Sequence, residues 1–220
     1  MVTSANSPDR SVRTMSPADT FRRVLAAAAQ ALRNHGFTRY GQSFYLRGAN
    51  HWGVLSFQKS VHNGPDLHRF TLNLGVYSGR LDRTGSLPDE KPSVWDCHWQ
   101  DRLGTLVHGR DEWWEITSST DADALAREVA AAILHHALPQ LARQMSDEAL
   151  RDYCLSGRRP TNMGDLAAKA NLAVLLQSIG PEEQLPPLLA DVRRHPDDDL
   201  HWAGFRFDAD RIVPLWRPRP

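Results

Sequence analysis

Between Arg69 and Ser78 the chain alternates without a break. Phe70, Leu72, Leu74 and Val76 are apolar, and Thr71, Asn73, Gly75 and Tyr77 stand between them. Successive side chains of a strand point to opposite faces, so this run predicts a strand with one greasy face and one polar face. A strand of that kind needs neighbours on both edges and a cover on its apolar side, which narrows the fold before any other residue is considered. Two other runs precede it, at 43–48 and 51–61, and "GAN" and "HNGPD" between the three carry the residue types of tight turns. Strands joined this closely pair antiparallel. Residues 79–94 are rich in Gly, Pro, Ser and charge and predict a long loop. The stretch "DCHWQDRLGTL" (96–106) and "EWWEIT" (112–117) then add one or two further strands.

On either side of this region the period changes to that of a helix. Ser16, Pro17 and Asp19 form a helix-start signal, and Phe21, Val24, Leu25, Ala28 and Leu32 follow as one stripe, with Gly36 placed to end it. From Thr120 or Asp121 onward, Leu125, Val129, Ala132 and Ile133 again share a face, and Pro139 is expected to kink or interrupt that helix. A short amphipathic helix is expected at 146–155. After the joint "SGRRPTNMG" (156–164), a helical hairpin turns at Gly180 and Pro181. The prediction is an α+β fold. An antiparallel sheet of four to five strands packs against the N-terminal helix and a long helix after the sheet, with a C-terminal helical appendage. The expected organisation is a disordered arm over 1–15, an α+β domain over 16–155, and a helical hairpin and tail over 156–220 packed on it.

Composition excludes several classes. Lys and Arg together number 26, as do Asp and Glu, so no net field draws the protein to nucleic acid or to an anionic membrane. Lys59, Lys91 and Lys169 are the only lysines, an Arg-for-Lys skew that points to a GC-rich bacterial genome. Two cysteines make no disulfide framework, and no run approaches the roughly 18 apolar residues of a membrane span. Together with the lack of a signal-peptide pattern, this leads to the expectation of a soluble, cytoplasmic protein. No nucleotide-binding or nucleophile-elbow motif occurs, and no His or Cys spacing suits a metal, so no cofactor and no metal ion is expected.

The pieces "LRNHGFTRYGQSFYL" (32–46), "SFQKS" (56–60), "RFTLNLGVY" (69–77), "DCHWQDRLGTL" and "EWWEI" occur in an order that resembles the bacterial domain of unknown function 4304 family. The resemblance covers roughly residues 20–155. It implies a compact α+β domain and brings no settled activity or cofactor. The family's Cys-His-x-x-x-Arg-x-Gly pattern is matched by Cys97, His98, Arg102 and Gly104. Gln100 stands where an Arg is common, which counts against a densely cationic site.

Two polar rows are candidates for function. If 95–103 is extended, Trp95, Cys97 and Trp99 face the core, and Asp96, His98, Gln100 and Arg102 face outward. Asp96 could then orient His98 as a general base with Arg102 stabilising an anion, or the row could be a cross-strand ladder of ion pairs and hydrogen bonds. Ser56 and Gln58 on one strand and Asn73 on its neighbour form a second row. Amides offer donors and acceptors that either read a ligand's polar groups or satisfy one another. The preferred expectation is a non-enzymatic binding module, of accessory or immunity type by analogy. It would use Ser56, Gln58, Asn73, Asp96, His98 and Arg102 to hold a protein, a peptide or a small polar ligand. A small hydrolase-like enzyme built on His98 is the alternative.

Overall fold

The computed structural model describes residues 15–82 and 84–192. Nearly all of the arm expected over 1–15, and the tail after Val192 with the end of the predicted hairpin, lie outside the described residues. The described chain is α+β with a six-stranded antiparallel sheet. Helix α1 (Pro17–Arg33) starts as its sequence predicts: the Ser16 hydroxyl accepts the Asp19 N–H at 3.1 Å, and Pro17 takes the first turn. Gly36, at φ 80°, lets the chain leave the helix and enter the sheet.

Strands β1 (Thr38–Tyr40), β2 (Ser43–Arg47), β3 (His51–Lys59), β4 (His68–Ser78) and β5 (Trp99–Arg102) lie side by side in that order. β1 is a short edge strand that the sequence patterning does not announce, because all three of its residues are exposed and none alternates. The far edge of β4 is divided. Its later half, Asn73–Val76, pairs with β5, and its first residues, His68–Phe70, pair with β6 (Trp114–Ile116). Between them α2 (Leu103–His108) turns the chain, and a Cβ on Gly104 would run into the backbone of Glu112. That close approach accounts for the glycine of the Cys-His-x-x-x-Arg-x-Gly pattern.

One face of the sheet carries Leu55, Phe57, Phe70, Leu72, Leu74, Val76 and Trp99 into the main core, against α1 and α3 (Ala122–Ala132). Burial of these large side chains is the principal driving force for the fold. Next to Pro139 the regular α-helix is interrupted, as expected, but the chain stays helical. The rod widens to a π-turn over Ile133–Ala137, where the Leu138 N–H reaches back to the Ile133 carbonyl, and continues as α4 (Leu138–Gln144). The π-turn and the proline that follows it are both recognised sites of helix distortion. Then come α5 (Asp147–Leu155), α6 (Asp165–Ile179) and α7 (Leu185–Val192). α6 packs on α5 and on the turn after β4, and its Leu175 reaches the main core. No helix among the described residues is long and apolar enough to cross a membrane.

The opposite face of the sheet is not uniformly polar. Tyr45, Trp52, Val54, Val94 and Cys97 form a second small core there, with Tyr77 and Leu87 packed against it. Gly75 makes room for it: a Cβ at that position would lie 2.6 Å from the Cys97 sulfur.

Candidate functional site

Strand register decides which polar side chains meet. β3 and β4 place Ser56 opposite Asn73 and Gln58 opposite Thr71, and β4 and β5 place Asn73 opposite Arg102. Ser56 closes on Ser43 of β2, hydroxyl to hydroxyl at 2.8 Å. Gln58, Asn73 and Arg102 form a chain. Asn73 donates from Nδ2 to Gln58 Oε1 at 2.9 Å, and its Oδ1 accepts from Arg102 Nε at 3.1 Å. Arg102 continues through Nη1 to the carboxylate of Asp111, and its guanidinium lies 5.8 Å from the ring centre of Trp113. Asn73 is buried, so its amide is fixed by this network and not by water.

Above Asn73 and Arg102 lies a groove of about 430 Å³, whose walls include Trp95, Gln100, Asp111, Arg159 and Thr161. The volume falls within the range of small-ligand sites. Burial raises the carboxyl of Asp101, also in this wall, above its ordinary range, and the Arg102 N–H and the charge of Arg158 oppose the shift.

The row Asp96–His98–Arg102 is not assembled, and here the structure corrects the sequence expectation. Residues 94–96 are a 3-10 turn, not a strand. Ser93 caps it, and the Asp96 carboxylate returns to the Ser93 N–H at 3.1 Å. Ser-x-x-Asp is itself a capping signature, and it overrides the alternation of the residues after it. Trp95 therefore does not face the core; it is 44% exposed. Cys97 and Trp99 are both buried, but on opposite faces of the sheet. Gln100 and Arg102 keep the outward positions expected of them.

His98 is buried with its ring 4.6 Å from that of Tyr77, and its Nδ1 accepts the Ser78 N–H at 3.0 Å. With that lone pair engaged, the neutral ring carries its proton on Nε2. Burial pulls its pKa down to about 4, against the charge of Asp82. His98 thus belongs to another cluster, where β3 begins and β4 ends, whose centre is Asp147. His51 Nε2 lies 3.0 Å from Oδ1 of Asp147, Ser78 donates its hydroxyl to the same oxygen at 2.8 Å, and Arg80 Nε donates to Oδ2 at 2.5 Å. Burial works to raise the Asp147 carboxyl. The hydrogen bonds from His51, Arg80 and Ser78 outweigh it and hold the group well below the usual carboxylate range. Although a Ser, a His and an Asp meet here, both Ser78 and His51 address the carboxylate, so no base is aimed at the hydroxyl. This cluster ties the start of α5 to the sheet. Its members are far apart in sequence, and no local pattern joins them.

Both cysteines are free, and among the described residues no group of three or more His, Cys, Asp or Glu is placed to hold a metal ion. The model of one protein family, described as a domain of unknown function (DUF4304), matches residues 28–143. Neither the curated proteins nor the solved structures include a significant match to the chain. The matched span contains the whole sheet and the Gln58–Asn73–Arg102 row. The Arg159–Thr161 wall of the groove and Asp147 lie beyond it.

Proposed function

The chain belongs to the DUF4304 family, a domain of unknown function, and from that premise we propose that it is a non-enzymatic binding module of accessory or immunity type. Its site is the groove over Asn73 and Arg102. The observation that carries the reading is the way Arg102 is held: Asn73 takes its Nε, Asp111 takes its Nη1 and Trp113 lies beneath it, while the side chain stays about a third exposed at the groove. A guanidinium fixed on three sides and open on the fourth is preorganised to meet a ligand and loses little freedom on doing so. Asn73 and Gln58 set its direction. His98 and Asp96 take no part, and the hydrolase alternative loses support with them, since a buried ring with its Nδ1 engaged is poorly placed to accept a proton.

The reading is tested by titrating the isotope-labelled protein with a panel of small polar compounds and short peptides, followed by nuclear magnetic resonance. A ligand of the groove moves the Trp95 indole and the Gln100 and Asn73 side-chain amides, and Arg102→Ala weakens it. Trp95→Ala serves as a second probe, because an exposed ring is removed without disturbing the core. If every panel member leaves those signals in place, the groove is not a binding site.

A further inference from the structure

The groove's chemistry points to a class of ligand. This step rests on the groove being the binding site, and it adds what the groove selects. Its charges cancel in pairs: Arg102 is bonded to Asp111, Arg159 to Asp165, and Arg158 stands beside Asp101. No excess of positive charge is left to recruit an anion, and no excess of negative charge to recruit a cation. What remains open are single donors and acceptors. Among the described residues, Arg102 and Arg159 each keep one Nη2 without an acceptor, since Arg159 uses Nε on the Met163 carbonyl and Nη1 on Asp165. Gln100, a residue of the groove wall, spends its Nε2 on the carbonyls of Val94, Trp95 and Cys97, which leaves its Oε1 without a donor among the described residues. Thr105 and Thr161 add hydroxyls that serve in either sense.

Trp95 supplies the apolar part. Its ring is exposed, yet its backbone is held from two sides: Gln100 donates to its carbonyl from β5, and Asn162 Nδ2 donates to the same oxygen at 2.6 Å. An exposed tryptophan on a fixed backbone is a platform for a flat group. One of its two braces, and one wall of the groove, come from residues 159–162, outside the family-matched span.

We propose that the groove binds a neutral ligand carrying secondary amides and a flat ring, a peptide segment being one source and a small aromatic amide the other. The ring stacks on Trp95, the ligand's carbonyls accept from the free Nη2 groups of Arg102 and Arg159, and its N–H donates to Gln100 Oε1. The 159–162 segment sets the selectivity.

The test uses the full chain and four probes, read at the Trp95 indole and the Gln100 side-chain amide: acetyl-Ala-Tyr-Ala-amide, the same peptide with a free carboxylate, acetyl-Ala-Ala-Ala-amide, and acetyl-tyrosinamide. The neutral tyrosyl peptide is expected to bind at least about tenfold more tightly than the all-alanine peptide, and no more weakly than the carboxylate form. Asn162→Ala, with its spectrum otherwise native, is expected to remove most of the tyrosine's advantage. Acetyl-tyrosinamide binding as tightly as the peptide assigns the small-ligand source; weaker binding assigns the peptide. A carboxylate form that binds more than about tenfold more tightly overturns the ligand class and leaves the groove standing. Shifts from all four probes that avoid Trp95 and Gln100 overturn the ligand class as well. The groove itself fails only if the wider panel misses it too.

Discussion

His51 and Asp147 lie 96 positions apart in the chain, and their side chains meet at 3.0 Å with both almost fully buried. His51 opens β3 and Asp147 opens α5, so this contact fastens the C-terminal helices to the sheet. The same carboxylate also receives Ser78 and Arg80, which satisfies both of its oxygens.

Replacing Asp147 removes the acceptor that three buried or half-buried donors share. Asp147→Ala is expected to cost about 3–5 kcal/mol, the range for breaking a buried ion pair from one side. Asp147→Asn should cost less, because one oxygen remains. Urea denaturation measures both, and a loss under about 1 kcal/mol for the alanine variant would remove Asp147 from its place at the centre of the cluster.

Acid should destabilise the protein in two successive stages. The folded pKa of His98 is depressed from 6.5 to about 4, so the folded state disfavours its protonation. Between those values the unfolded chain binds the extra proton, and stability falls as pH drops through that window. The Asp147 carboxyl is also depressed, and its contribution is present above the unfolded value near 3.8 and lost as pH falls further. Denaturation midpoints measured from pH 7.5 to 4 should decline in the wild type. They should decline less in His98→Gln, and equal slopes in the two proteins would contradict this account.

Gly75→Ala tests the second core. The new methyl would meet the Cys97 sulfur, and overpacking of this kind costs about 1–3 kcal/mol. In a Cys97→Ala background the sulfur is gone but the Cβ, 2.8 Å from the new methyl, remains, so the cost should shrink only in part. A double-mutant cycle reads the coupling, and strict additivity would mean that the two positions do not press on each other.

Neither thiol should react readily in the native protein. Burial pushes Cys97 well up and Cys154 to about 11, and the thiolate is the reactive species. A chromogenic disulfide reagent at pH 7.5 should label little of the native chain and both cysteines in urea. Rapid labelling of the native protein at Cys97 would show that the second core opens.

The sequence made the fold legible where one period ran long enough to speak for itself. Phe70 to Tyr77 announced a strand with two unlike faces, and Ser16 to Leu32 announced a capped helix with its stripe. β1 was silent because three exposed residues carry no pattern. At 94–97 two local signals competed, alternation and a capping box, and the hydrogen bonds of the cap won. Of the candidate residues, Gln58, Asn73 and Arg102 meet because register fixes which rungs face each other. Asp96 and His98 separate from them because the chain bends before β5. The Asp147 cluster and the Arg159–Asn162 wall depend on packing between distant segments, for which no spacing rule exists.

The polar row also bears on how the sheet finds its one pairing. β3 and β4 are both apolar on the core side, and Leu55 opposite Leu74 looks much like other pairings of the same residues. A slip of one residue turns a whole strand over. It would carry Gln58 or Asn73 into the main core, away from the partners that satisfy them, and bury an unanswered amide at a cost of about 1–3 kcal/mol. The paired amides of Gln58 and Asn73 therefore act as a key for strand alignment, and a variant that greases them would loosen the register along with the site.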